Sequence, residues 1–196
     1  MKRPASSIVT PRVTRPRDLI AGTGAFWIPS NHETDTNALR NHLWDSVLAT
    51  QKLHGRVVDV TGHRIADLGG VFRGRIWGPP IAPRYALPEE YLQHAGEGNL
   101  WRGGLPRKHR STIFPSDIAH LAEKRADLLV THKASNSLAN SAAERDRLAI
   151  RLGVHRILRG HHHWEYRARV RSIEAPGGGL RRGVTDVGQT IGEGEC

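Results

Sequence analysis

Cysteine is almost missing from this sequence: one residue in 196, Cys196, at the last position. A single thiol excludes an internal disulfide framework and a cysteine-based zinc cluster, and it predicts a reducing compartment. Aromatic residues are scarce at 6%, and acids fall short of bases, 19 against 29. No apolar run approaches the roughly 18 residues a membrane-spanning helix needs, which excludes a helical span. The start shows no basic, apolar and small-residue sequence of a secretory leader, so a cytoplasmic protein is expected, with no membrane partner.

What is present is arginine, histidine and glycine. The formal net charge is +10, and there are 12 histidines and 21 glycines. Excess base reads either as an electrostatic footprint for nucleic acid or another polyanion, or as solvated surface. Arginine is spread along the whole chain rather than gathered in a stripe, which favours the solvated reading. The apolar share of 38% is modest, but Leu, Ile, Val and Trp recur throughout. That argues against a wholly disordered chain.

Residues 1–20 hold three prolines, five basic residues and one acid. No helix or strand period survives there, and a flexible basic arm is expected. The globular pattern fills 21–196. Phe26-Trp27-Ile28 reads as a short buried strand ended by Pro29. Asp35 or Thr36 caps a helix expected to reach Ala49. Arg56–Val60 and Arg64–Leu68 flank Thr61-Gly62, a hairpin signal. Gly69-Gly70 opens a long irregular stretch to Pro115, with a short helix at Pro88–His94.

Farther on, Ser116 is expected to cap a helix to Arg125, and Asp127–Val130 reads as a buried strand. A helix from Asn140 or Ser141 to Leu152 is closed by Gly153. Val154–Leu158, Tyr166–Ile173 and Val184–Val187 complete the expected strands, with Gly177-Gly178-Gly179 as a turn. Alternating strands and helices predict an α/β fold with layered sheet and helices. In such folds ligand sites gather at strand ends. Three polar clusters follow apolar runs there: Ser30-Asn31-His32-Glu33, Thr131-His132 and Gly160-His161-His162-His163. Amide oxygen and imidazole are good ligands for divalent first-row metals, and His161 and His163, two apart, project to one side of an extended segment.

These clusters, in this order, resemble motifs of the calcineurin-like metallophosphoesterases. That family carries Gly-Asn-His-Asp/Glu, a strand-end His and Gly-His-x-His, matched here by Ser30 to Glu33, by His132 and by Gly160 to His163. Leu53-His54-Gly55-Arg56-Val57-Val58, Gly69-Gly70-Val71-Phe72-Arg73 and Trp101–Pro115 resemble a bacterial branch of it. The resemblance runs from about Phe26 to Val187. It implies a metallo-dependent phosphatase β-sandwich flanked by helices, and a phosphoester hydrolase using manganese, iron or zinc.

By resemblance, Asn31, His132 and His161 are ligands of one metal and His163 of another. His32 contacts phosphate and helps protonate the leaving oxygen, and Glu33 orients His32. Arg73 and Lys133 are candidates for binding the anionic substrate. Arg102 and Arg107 share the long loop with Arg73; all three could take an anion in bidentate contacts, and each reads more simply as an exposed cation, with Trp77 and Trp101 as packing for the loop.

The departures are specific. Ser30 stands where the family has glycine, and Lys133 where many relatives have an acid. No Asp-x-His and no Gly-Asp occurs in the chain. The family's bridging carboxylate and first strands are therefore expected to be missing, as in an N-terminally truncated member. At most one of the family's two metals should be held well, with very weak turnover. The alternative expectation is a non-catalytic basic remnant that binds polyanions or nucleic acid.

Overall fold

A computed structural model describes residues 26–132, 139–160, 167–177, 183–184 and 190–191. The expected basic arm, Lys133 and His161 to His163 lie outside the described residues. The fold is α/β. Helices are α1 (Asn37–Trp44), α2 (Pro88–His94), α3 (Pro115–Ala122) and α4 (Ala139–Leu152). Strands are β1 (Val57–Val60), β2 (His63–Leu68), β3 (Leu128–Thr131), β4 (Arg156–Arg159), β5 (Arg169–Val170) and β6 (Ile173–Glu174). They form one six-stranded sheet in the order β1-β2-β3-β4-β6-β5. Strands β7 (Gly183–Val184) and β8 (Thr190–Ile191) form a separate two-stranded pair.

The sheet is mixed. β1 and β2 make an antiparallel hairpin in which Val60 faces His63. Its turn places both Thr61 (φ 54°) and Gly62 (φ 87°) in the left-handed region. Such a turn matches the strand twist, which is why Thr-Gly serves here. β2, β3 and β4 then run parallel, with Leu68 beside Thr131 and Thr131 beside Arg159. Parallel strands need crossovers, and α4 supplies the one between β3 and β4.

β3 is buried at all four positions, as a central strand covered on both faces must be. Leu129 packs on one side with Leu68, Ile157, Leu121, Leu148 and Leu152. Leu128 and Val130 pack on the other with Ile28, Leu53 and Ile65. A smaller cluster joins Trp27, Leu43 and Leu48. There Trp44 meets Trp27 edge to face at 4.8 Å, and the Trp27 indole N–H donates to Leu48 O at 2.7 Å.

Several boundaries differ from the sequence reading. The first helix stops at Trp44 because Asp45 leaves the helical path and pairs with Arg40 and Arg102; a separate 3-10 turn covers Val47–Gln51. α3 starts one residue early at Pro115 and ends at Ala122, since the Asp117 carboxylate, not Ser116, takes the Phe114 N–H at 2.7 Å. The strand expected over Tyr166–Ile173 is broken by a turn at Arg171 (φ 55°) into β5 and β6. In place of the strand expected over Phe26-Trp27-Ile28, Trp27 makes an isolated parallel bridge to Lys52.

Candidate functional site

The parallel strands end on one side of the sheet, and His132 is the first residue past β3. It is 5% exposed, held between buried strands. The backbone N–H of Gly160, the first residue past β4, donates to Thr131 O at 3.2 Å. The residue preceding His161 therefore lies beside the residue preceding His132.

The Asn31 loop arrives at the same place from the far end of the chain. Asn31 Oδ1 lies 3.0 Å from His132 Nε2 across 101 residues of sequence. The expected convergence of Asn31 and His132 is thus present; His161 and His163 are not described. From Asn31 the contacts continue. Its amide Nδ2 donates to His32 Nε2 at 3.0 Å, and His32 Nδ1 donates to Asp35 Oδ2 at 2.8 Å. The directions agree with one another: amide nitrogen can only donate, so His32 accepts at Nε2 and carries its proton at Nδ1. His132 then donates from Nε2 to the amide oxygen.

Glu33 has a different task from the one the resemblance implied. It is 4% exposed, and its carboxylate takes the Ser30 N–H at 2.7 Å and the Ser30 hydroxyl at 2.6 Å. The carboxylate on His32 is Asp35. Glu33 instead ties the loop into a closed turn, and the Ser30 hydroxyl also accepts from His32 N at 3.4 Å. Ser30 is not among the positive-φ residues, so serine costs nothing in backbone strain there.

The loop is clamped from outside by Arg107. Its Nε donates to Thr34 O at 3.0 Å, one terminal nitrogen to Asp35 O at 2.6 Å, and the other to Asn37 Oδ1 at 2.6 Å. With those donors committed, Arg107 is a positioning residue and not a free anion binder. Arg102 is likewise engaged, paired with Asp45 at 2.7 Å and stacked 4.4 Å from the Trp101 ring centroid. Arg40 and Arg110 stack on the same indole at 5.1 and 4.7 Å. Trp101 and Trp77 do pack the long loop, Trp77 edge to face with Phe72 at 5.0 Å.

Arg73 remains available. It is half-buried, and its one side-chain hydrogen bond among the described residues is a long one to Ser111 Oγ at 3.4 Å. Ser111 Oγ in turn lies 3.0 Å from Thr34 Oγ1, so Arg73 stands beside the Asn31–Asp35 loop. Burial lowers the Arg73 pKa and the nearby Asp35 carboxylate raises it. The guanidinium stays charged under any working condition.

Two glycines make the floor possible. A Cβ on Gly69 would stand 2.6 Å from Pro29 Cδ, and one on Gly70 (φ 89°) would stand 2.6 Å from Ser111 O. Close approach lets Gly70 N donate to Pro29 O at 2.6 Å, holding the entry to the Asn31 loop. Under this contact lies Asp67, fully buried on β2, which accepts from Gly69 N at 3.1 Å. Burial pushes its carboxyl well above the usual range; the Gly69 N–H and Lys52 pull the other way. The sequence reading gave Asp67 no role, Asp35 only that of a helix cap, and Arg107 only that of an anion binder or exposed cation. Only Asp35 had a legible signal, at three residues from His32.

The 3.0 Å between Asn31 Oδ1 and His132 Nε2 is a hydrogen-bond distance. Amide oxygen and imidazole nitrogen are also the atom types that can ligate a divalent first-row metal. No group of three or more His, Cys, Asp or Glu side chains suited to a metal occurs among the described residues, which leave out His161 and His163. No helix among them is long and apolar enough to cross a membrane.

No family model and no solved structure matches the chain. A protein of Haemophilus influenzae described as uncharacterized is 40% identical over 146 residues, which is 74% of this chain and 65% of the relative. The chain therefore spans less than two thirds of the length of the relative it matches.

Proposed function

We propose that this chain carries part of a calcineurin-like phosphoesterase site, in which a divalent metal is held by Asn31, His132 and His161, with His163 directed to a second ion. The reading rests most on the 3.0 Å approach of Asn31 Oδ1 to His132 Nε2, two residues that the motif order pairs and that lie 101 positions apart. A bound metal of this class supplies Lewis acidity toward phosphoryl oxygen and lowers the pKa of bound water. The chain's own groups do the rest. Asp35 fixes the His32 ring with Nε2 on the side of Asn31, where a protonated His32 would donate to a departing oxygen. Arg73, with a large part of its donor set open, is placed to take phosphate oxygens in a charge-assisted contact. Lys133, next to His132 in sequence, adds positive charge for the same anion.

The sequence supplies neither Asp-x-His nor Gly-Asp, so a bridging carboxylate is not provided by those motifs. Three neutral ligands hold one ion, whereas His163 alone holds a second one poorly. The chain by itself is therefore a one-metal, slow hydrolase. The test is hydrolysis of bis(p-nitrophenyl) phosphate and p-nitrophenyl phosphate against added manganese. Slow, manganese-dependent release that His132→Ala and Asn31→Ala abolish supports the reading. Release indifferent to both substitutions would refute it.

The second reading, a polyanion-binding module, is favoured by the +10 charge. Nucleic-acid affinity falling steeply with salt, with no metal requirement and no hydrolysis, would select it.

A further inference from the structure

A polar cavity of about 230 Å³ lies on the long connection, away from the Asn31–His132 pair. Its wall includes Arg75, Arg84, Tyr85, Tyr91, His94 and Asn99. Both arginines are exposed, and neither forms an ion pair with a described carboxylate. Arg40, Arg64, Arg102, Arg147, Arg156 and Arg159 each have an acidic partner. Arg73, Arg107 and Arg110 also lack a described acidic partner, but their guanidiniums bond to hydroxyl, carbonyl or amide oxygens. Glu90, on the neighbouring helix, is committed to the backbone N–H groups of Ala86 and Leu87 at 2.6 and 3.4 Å.

The rest of the wall is rigid and correctly polarised. Tyr85 stands edge to face on Tyr91 at 5.3 Å and packs against His94 at 5.6 Å. Tyr91 is 7% exposed and backed by His109 at 5.0 Å. The Arg84 backbone N–H is fixed to Ile76 O at 2.8 Å, which joins the two ends of the segment that carries Arg75 and Arg84. His94 Nδ1 donates to Glu90 O at 2.8 Å, so its ring orientation is set. Two guanidiniums without a counter-ion, an amide and an aromatic wall are a recognition set for an oxyanion.

We infer that this cavity binds a tetrahedral oxyanion of the phosphate class, free or carried on an aromatic group, through Arg75 and Arg84. The inference stands apart from the metal reading, because neither Asn31 nor His132 lines the cavity. It is tested with the full chain in the presence of a chelator, by titrating inorganic phosphate and, in a second arm, phenyl phosphate, while following backbone amide signals by NMR. Saturable binding is expected, with shifts at Tyr85, Ala95 and Asn99, weakened about tenfold or more in the Arg75→Gln, Arg84→Gln double variant. Arg151→Gln should leave it within about twofold. Tighter binding of phenyl phosphate than of inorganic phosphate assigns the aromatic wall a share in the contact; equal binding assigns the site to the oxyanion alone. Both arginines are exposed, so the double variant should keep the fold, and its amide spectrum checks this directly. Absence of saturable binding, or affinity unchanged in the double variant but lost in Arg73→Gln, would overturn the inference.

Discussion

The strand ladder β2-β3-β4 and the long connection between β2 and β3 meet at the same site but are held by different forces. The ladder is backbone pairing plus apolar burial, with Leu129 and Ile157 at 0% exposure. The connection is held by arginines: Arg107 on two carbonyls and Asn37, Arg110 on Leu105 O and Trp101 O, and three guanidiniums on one indole. His132 takes its place from the ladder, and the Asn31 loop takes its place from the connection. A strand end can be fixed by hydrophobic burial alone. A polar loop offers little apolar surface, so its geometry must come from directed hydrogen bonds.

If that contrast is right, damage to the two regions differs in kind. Leu129→Ala should cost about 2–5 kcal/mol of global stability, read as a lowered denaturant midpoint, with unfolding still cooperative. A cost under about 1 kcal/mol would mean that β3 is not the centre of the core.

The next effect is one of pH. Burial, reinforced by Arg73 and Arg75, pushes the His109 imidazole down to about 4 from an ordinary 6.5. The unfolded chain therefore binds more protons between those values, and stability falls as pH drops from 6.5 toward 4. The loss over that window is at most about 3 kcal/mol. His109→Gln should flatten the slope of denaturant midpoint against pH; an unchanged slope would place the acid sensitivity elsewhere.

Arg107→Ala should act locally. It removes three charge-assisted donors, at a cost of about 2 kcal/mol, and should speed amide exchange at 33–37 while β3 stays protected. Equal acceleration in β3 would erase the distinction between the two regions. Smallest of the four, Asp67→Asn removes a carboxyl that burial holds well above its usual range. Its thermal midpoint should rise relative to the parent as pH increases from about 4, because the parent alone loses a proton preference of its folded state. A lower midpoint at neutral pH would show that the Gly69 N–H bond and the attraction of Lys52 outweigh burial.

The sequence was informative where local chemistry decides. Thr61-Gly62 made the hairpin legible, Pro88 opened α2, and Gly153 (φ 74°) closed α4. The apolar run before His132 marked the end of β3, whereas the run before Asn31 makes an isolated bridge at Trp27 in place of the expected strand. Where long-range partners decide, it was silent. Nothing near Arg107 shows that its acceptors lie 70 to 73 residues away. Glu33 and Asp35 are both close enough to His32 for either to hold it, and the choice follows from Ser30, whose N–H and hydroxyl capture Glu33 first. The end of α1 at Trp44 depends in the same way on Asp45 meeting Arg102, 57 residues on.

The most direct test of the metal-site account is a manganese titration of the chain followed by electron paramagnetic resonance, with His132→Ala as the control. The account predicts one tightly held ion per chain, displaced by zinc and lost in His132→Ala. Two tightly held ions, or one that survives His132→Ala unchanged, would contradict it.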